Sequence, residues 1–377
     1  MANTLTGLIP IIYAALDKIS RELVGFIPSV YLNAEAEKAA KDQTIRYPIV
    51  ASRSAADITP AATGPNPSGE TVSYADMTIS KSRSVTFPWN GEEQVGLGNL
   101  YNEVLTKQFA QAMRTLVNEV ETDLASLYVF ASRAYGTAGT TPFASTLADT
   151  AQLLKILLDN SAPRTALQMV INTTAGAALR TLAQLTKANE AGGDDLLRRG
   201  ILLDLHSFKI RESAQISAHT KGAGASYQTD GAVAVGVEDV VLDTGSGTVL
   251  AGDVVTFADE ALSSKYIVGT GVAAAGTISL NKPGAVAAIG DDKAMTIGNS
   301  FTPNMAFDRD AIHLVTRVPA KPEGGDAAED AMVITDPVSG LSFLVSLYRQ
   351  YHQVSFEVGL AWGYKAVKSE HIALLLG

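Results

Sequence analysis

Apolar positions along this 377-residue chain change their spacing several times, and each change marks a new element. Near the start, Leu5, Leu8, Ile12, Leu16, Ile19 and Leu23 recur at intervals of three and four. That is the period of an amphipathic helix, and Gly25 and Pro28 end it. Termini are loose unless tied down, so the helix either docks on its own core or serves as an arm on a neighbouring chain. From Tyr47 to Leu97 the prolines at 48, 60, 65, 67 and 88 forbid a long helix. Two extended runs, 47–58 and 71–89, flank a Pro/Gly-rich tip. The second alternates apolar and polar residues through Met77, Ile79, Val85 and Phe87, which predicts a long two-stranded excursion. A two-stranded ribbon alone is barely stable in water, so that alternating face is expected to lie against a partner.

Asn99 to Tyr135 contains neither proline nor glycine. Leu100, Val104, Leu105, Phe109, Met113, Leu116, Val120 and Leu124 keep helical spacing. This predicts one helix, capped by Asn99, ended by Gly136 and about 55 Å long at 1.5 Å per residue. Residues 146–220 read as mixed α/β: a helix in TLADTAQLLKILLDN, a strand in ALQMVINT, a second helix in TAGAALRTLAQLTKANE and a buried strand in GILLDLHSFKI. Over 226–300 the helical period vanishes, and short Val- and Thr-rich runs sit between Gly-rich turns. That pattern belongs to a small sandwich or barrel, with joints near 221–224 and 297–299. From Phe301 strand-like text returns, carrying an acidic loop at Glu323–Asp330.

Hydrophobic residues make up 46% of the chain and charged residues only 18%, so a large interior is available and the surface carries little charge. Coverage by further copies of the chain would account for that. Lys and Arg total 29 against 39 acidic residues, a net charge of −10, and Arg198-Arg199 is the densest basic pair. No basic face exists to displace counterions from phosphate, which excludes a direct grip on nucleic acid and still allows an acidic wall around it. Without cysteine, disulfides and thiolate chemistry are excluded.

The five histidines, 206, 219, 313, 352 and 371, never stand three or four residues apart, so no helix presents a two-histidine metal face. Neither a G-x-S-x-G elbow nor a phosphate loop is present, and Gly192–Asp195 lacks the carboxylate spacing of a calcium loop. Asn172-Thr173-Thr174 matches a glycosylation sequon, but the first residues form no signal peptide to give it meaning. No stretch of eighteen apolar residues spans a membrane. The expectation is a structural protein and not an enzyme, with no catalytic, cofactor-binding or metal-binding residues.

Two sets of segments resemble a known family. One is the opening Asn3 to Pro10, continuing through Ile12–Leu16 to Ser20–Pro28. The other comprises Asn304–Phe307 with Arg309–Ala311, Ser339–Phe343, Tyr351, Leu360–Gly363 and the ending Glu370–Gly377. They are similar to the major coat protein of short-tailed lambdoid (P-twenty-two-like) bacteriophages. The resemblance implies an α+β tailed-phage capsid fold of the Hong Kong ninety-seven type. On that pattern 1–46 is an N-terminal arm, 47–97 an extended loop reaching over a neighbour, and 98–145 the spine helix and peripheral domain. The axial domain takes 146–225, a β-barrel insertion takes 226–300, and 301–377 returns to the axial and peripheral domains.

The implied function is a capsid subunit that self-assembles, as pentamers and hexamers, into an icosahedral shell around double-stranded DNA. Its partners would be itself, a scaffolding protein and a portal protein, with assembly in the host bacterial cytoplasm and residence in the virion. Met77, Ile79, Val85 and Phe87, with Leu8 and Ile12 of the arm, become the candidate inter-subunit contacts. Lys81 reads as a solvated lysine and not a cross-link donor. The rival readings are a bacterial nanocompartment shell of the same fold and, from a different class, a β-rich binding or adhesion protein.

Overall fold

The computed structural model describes residues 8, 10–15, 25–49, 58, 73–182, 185, 204–336 and 339–377. Most of the arm helix expected over 5–25, the tip of the 47–97 excursion and the second half of the helix expected over 174–190 lie outside them.

The longest element is a helix, Tyr101–Ala125, which at 1.5 Å per residue runs about 38 Å. Leu105, Phe109, Met113, Leu116, Val120 and Leu124 form its buried stripe. It is shorter at both ends than its sequence predicts. Asn99 falls in a 3-10 turn, Gly98–Leu100, and the helix starts from Leu100 without a side-chain cap. The capping box sits upstream: Asn90 and Glu93 exchange side-chain-to-backbone bonds and start a separate short helix, Gly91–Leu97. After Ala125 the chain tightens into a 3-10 turn, Ser126–Phe130, and Arg133–Tyr135 leaves as a strand. That strand pairs in parallel with Ile372–Leu376, a tertiary partner that outweighs the helix propensity of Ala131–Tyr135.

Two sheets flank the spine. In the first, Leu167–Ile171, Pro303–Asp308 and Ile372–Leu376 are buried at every residue. Alternate side chains serve opposite faces, as the pleat requires. Val170, Met305, Phe307, Ile372 and Leu374 join the spine's core. Met169, Ile171, Ala306, Ala373 and Leu375 face helices Ala148–Asp159 and Thr173–Thr181. Asn172 is the N-cap of the latter helix, its Oδ1 accepting from the Ala175 amide at 2.8 Å, so the apparent sequon is a structural cap. The run expected as one strand over 200–210 is a hairpin: Asp204–Leu205 and Phe208–Glu212 join through His206 and Ser207, both with positive φ.

The second sheet is built on Gln353–Ala366, which pairs with Lys81–Asn90, Ser342–Gln350 and Ile312–Pro319. Asp330–Thr335 and Tyr31–Ala39 are its outer strands, the latter added in parallel.

Residues 219–301 leave the body at a neck, where His219 and Phe301 bond each other's backbone at 2.8 and 3.2 Å. Beyond it is the inserted barrel. Its strands run, in spatial order, Gln228–Thr229, Asp239–Asp243, Gly276–Leu280, Lys265–Thr270, Val254–Phe257 and Met295–Ile297. Bonds from Thr229 N to Lys293 O (3.0 Å) and from Met295 N to Tyr227 O (2.8 Å) shut the ring. Closure removes exposed sheet edges, and Tyr227, Val240, Leu242, Val255, Tyr266, Val268, Ile278 and Leu280 fill the inside.

Candidate assembly surfaces

The excursion divides at Ile79. Before it, Thr44–Ile49 and Ser73–Thr78 make a two-stranded ribbon that, among the described residues, joins no other sheet. Its root is tied by Asp42 N to Ile79 O (2.9 Å) and Ile79 N to Gln43 O (3.0 Å). Met77 and Ile79 are buried there with Ala39, Val315 and Ala361. The outer face carries a cross-strand ion pair, Arg46–Asp76 at 3.1 Å, and Tyr74, which is 58% exposed.

After Ile79 the chain turns into the body. Phe87 meets Phe109 of the spine edge-on at 5.0 Å and stacks on Phe356 at 5.5 Å, and Val85 leans on the same core. Met77, Ile79, Val85 and Phe87, expected to lie against a neighbour, therefore pack within their own chain. Period-two alternation shows that one face is apolar; it does not say which surface covers it. Ile12 is likewise buried in the spine's core and Leu8 packs against it. All six expected contact residues are used inside the subunit.

Two carboxylates on the spine fix this arrangement. Glu121, buried, accepts from the Phe26 amide (2.9 Å to each oxygen), the Ile27 amide (2.8 Å) and the Ser213 hydroxyl (3.1 Å). Burial pushes its pKa up, and the Ile27 and Phe26 amides pull against that rise. The chain can turn here because residue 25 is glycine: a Cβ would come within 2.8 Å of Ser213 Cβ. Asp123 accepts from Lys81 Nζ (2.7 Å) and Trp362 Nε1 (2.8 Å). Lys81 is thus an ion-paired residue at the spine, only about one-third exposed, and not the freely solvated lysine its sequence position implied.

Several apolar side chains around the short helix and the Ser342–Ala366 hairpin are exposed. The helix Gly91–Leu97 has no buried residue, and Val95 is 82% exposed. Leu100, whose spacing assigned it to the spine's apolar face, is 59% exposed because the helix starts only after it. Tyr351, 91% exposed, sits in the turn between Ser342–Gln350 and Gln353–Ala366, whose His352 carbonyl accepts the Gly91 amide at 3.3 Å. The available signal was the Asn90–Glu93 capping box, which ends the strand and starts a helix with little to bury it.

The barrel offers a different surface. Over 226–300 nine acidic residues (Asp230, Glu238, Asp239, Asp243, Asp253, Asp259, Glu260, Asp291, Asp292) oppose three lysines (265, 282, 293). The difference, −6, is most of the chain's −10. At the neck, buried Asp253 accepts from His219 (2.9 Å), the Gly222 amide (3.0 Å) and the Leu250 amide (2.7 Å). The other His219 nitrogen meets the Tyr128 hydroxyl at 2.8 Å. This chain of bonds couples the barrel's base to the end of the spine. Among the described residues no group of three or more His, Asp or Glu is placed to hold a metal ion, and no helix is long and apolar enough to cross a membrane.

No family model and no curated protein matches the chain. Solved structures do resemble it. A capsid structure of cyanophage P-SCSP1u aligns with a TM-score of 0.49 and 11% identity, covering 94% of this chain and 88% of the other. A Mycobacterium phage Che8 structure gives 0.45 and 13%, covering 89% and 85%. A virus-like particle from Pyrococcus furiosus gives 0.41 and 11%, covering 97% and 96%. These are distant likenesses.

Proposed function

We propose that the chain is a shell-forming structural subunit, the major capsid protein of a tailed bacteriophage, assembling as pentamers and hexamers into an icosahedral shell around double-stranded DNA. The observation that carries this reading is where the subunit is incomplete. Its core is closed, yet its extremities are open: among the described residues the ribbon joins no other sheet, and Val95, Leu100 and Tyr351 stand exposed elsewhere. Exposed apolar clusters and unpaired strand edges mark surfaces that association completes. Head-to-tail contacts that close into rings use such non-identical surfaces, and obligate interfaces bury on the order of 2,000–5,000 Å².

The terminal segments similar to lambdoid phage coat proteins support the same reading. So does the net charge of −10, which suits a wall that encloses DNA without gripping it. Within it, 1–46 is the arm, 47–97 the loop, 98–145 the spine and peripheral domain, 146–225 with 301–377 the remaining body, and 226–300 an insertion. A scaffolding protein and a portal protein in the bacterial cytoplasm complete the assembly pathway. An adhesion module is disfavoured, because the barrel strand Lys265–Thr270 is hydrogen-bonded directly to Arg133–Tyr135 of the body.

Co-expression with a scaffolding partner, followed by electron microscopy, tests the proposal. Closed shells of hundreds of copies are expected, emptied or filled with DNA. Particles loaded with an enzyme would favour the nanocompartment reading. Only small soluble species at high concentration with scaffold present would overturn both.

A further inference from the structure

The seam between barrel and axial domain holds more positive charge than the chain neutralises there. A cleft of about 350 Å³ opens between helix Ala148–Asp159 and the turn that enters strand Lys265–Thr270. Arg133, Lys155 and Lys265 all line it. The Arg133 guanidinium reaches the Ile156 carbonyl (3.3 Å), Asn160 Oδ1 (3.1 Å) and, at 3.8 Å, Asp159. Its Nε is buried without a hydrogen-bond partner. Lys265 donates to the Gly136 carbonyl and has no carboxylate within ion-pair distance among the described residues.

Burial pushes the pKa of Lys265 down with nothing opposing it; burial pulls Arg133 down too, against the charge of Asp159. Glu260, the other acid nearby, is committed to the Tyr266 hydroxyl (2.8 Å) and the Ser264 amide (2.5 Å). Two carboxylates thus face three cations. A charge withdrawn from water costs free energy unless it is paired, and Lys265 keeps unused donors beside an open, polar space. Thr137, Gln152 and Ser263 add neutral donors to the same lining.

We infer that this cleft is an oxyanion site, taking one carboxylate or phosphate group against Lys265 and Lys155. One wall belongs to the barrel and the other to the axial domain, so an occupant ties the two together. The group can come from a free anion or from an acidic side chain of a second copy; the latter source rests on the shell reading, whereas the site itself does not.

The test is calorimetric titration of inorganic phosphate and, separately, acetate into the unassembled full chain at constant ionic strength. One saturable site per chain is expected for at least one anion. Lys265→Gln should weaken it on the order of tenfold or more, the loss of a charge-assisted bond, while Lys265→Arg retains it. Lys293→Gln, on the same barrel but paired with exposed Asp259, should leave it unchanged. If Lys265→Gln fails to fold by circular dichroism, Lys155→Gln at the exposed rim gives the same comparison. Absence of saturable binding of both anions to the wild type, or undiminished binding in the folded variants, overturns the inference. Repeating the titration on shells separates the sources: uptake of one anion per subunit means a free ion, and exclusion means a neighbour's carboxylate already fills the cleft. Failure of shells to form would sink the shell reading and leave the subunit titration standing.

Discussion

The ribbon and the barrel are both β excursions from one body, and they solve the same problem in opposite ways. The barrel closes its hydrogen bonds into a ring and fills the ring with its own side chains. The ribbon, among the described residues, joins no other sheet and is held by Met77 and Ile79 at its root. Backbone ordering costs roughly 1–2 kcal/mol per residue, which the barrel offsets internally and the ribbon does not. A closed excursion can be an independent unit; an open one depends on what it rests on, first the body and then whatever meets its edges.

Substitutions can break or sharpen that contrast. The largest effect is expected at the ribbon's root. Ile79→Asp places a charge in a small cluster that cannot rearrange around it, and should cost the unassembled subunit at least about 4 kcal/mol in urea denaturation. A near-neutral result would mean that the ribbon is held from outside the chain after all. Next is the barrel's anchor. Asp253→Ala leaves the buried Gly222 amide, the Leu250 amide and His219 without their acceptor and should cost about 3 kcal/mol. Hydrogen exchange should place the loss at the neck, with Ile278 and its barrel neighbours still protected. If the barrel core exchanges as fast as the neck, the barrel is not independent.

Lys81→Met, at the start of the strand that follows the ribbon and pairs with Gln353–Ala366, should cost only about 1 kcal/mol. The lysine is partly solvated, and Asp123 keeps the Trp362 indole. A calorimetric scan of the melting temperature would reveal a larger role. The smallest effect on the subunit, within about 0.5 kcal/mol, belongs to Tyr74→Ala together with Tyr351→Ala, both on open surface. Under the shell reading the same pair should slow assembly measured by light scattering. Unchanged assembly kinetics would remove these two surfaces from the interface.

Periodic features were legible in the sequence. The buried stripe from Leu105 to Leu124, the strand at 167–171, and the β-rich character of 226–300 all follow from spacing and turn residues. What spacing cannot supply is the identity of the covering surface. Phe87 alternates just as Met77 does, yet one meets the spine and the other a corner beside Val315. Helix ends were misjudged for a related reason. Ala131–Tyr135 are acceptable helix formers, and only the distant strand Ile372–Leu376 draws them into a sheet. The tight turn at His206-Ser207 hides inside an apolar run because it carries no glycine or proline to punctuate it. The open surface at Val95 and Tyr351 was invisible because an exposed valine looks the same in one dimension as a buried one.

The pairing of Lys81–Asn90 with Gln353–Ala366 carries a consequence for biosynthesis. Trp362 reaches Asp123 across 239 positions of sequence, and Ile372 accepts from Ser132 across 240. While a ribosome is still making the chain, the spine therefore has no sheet to lie on, whereas the barrel strands are local and can settle as soon as they emerge. The body snaps together only when translation has delivered its final strands. Under the shell reading, a nascent subunit stays incompetent to associate until it is whole, and a truncated product never acquires the surfaces that would poison a growing lattice.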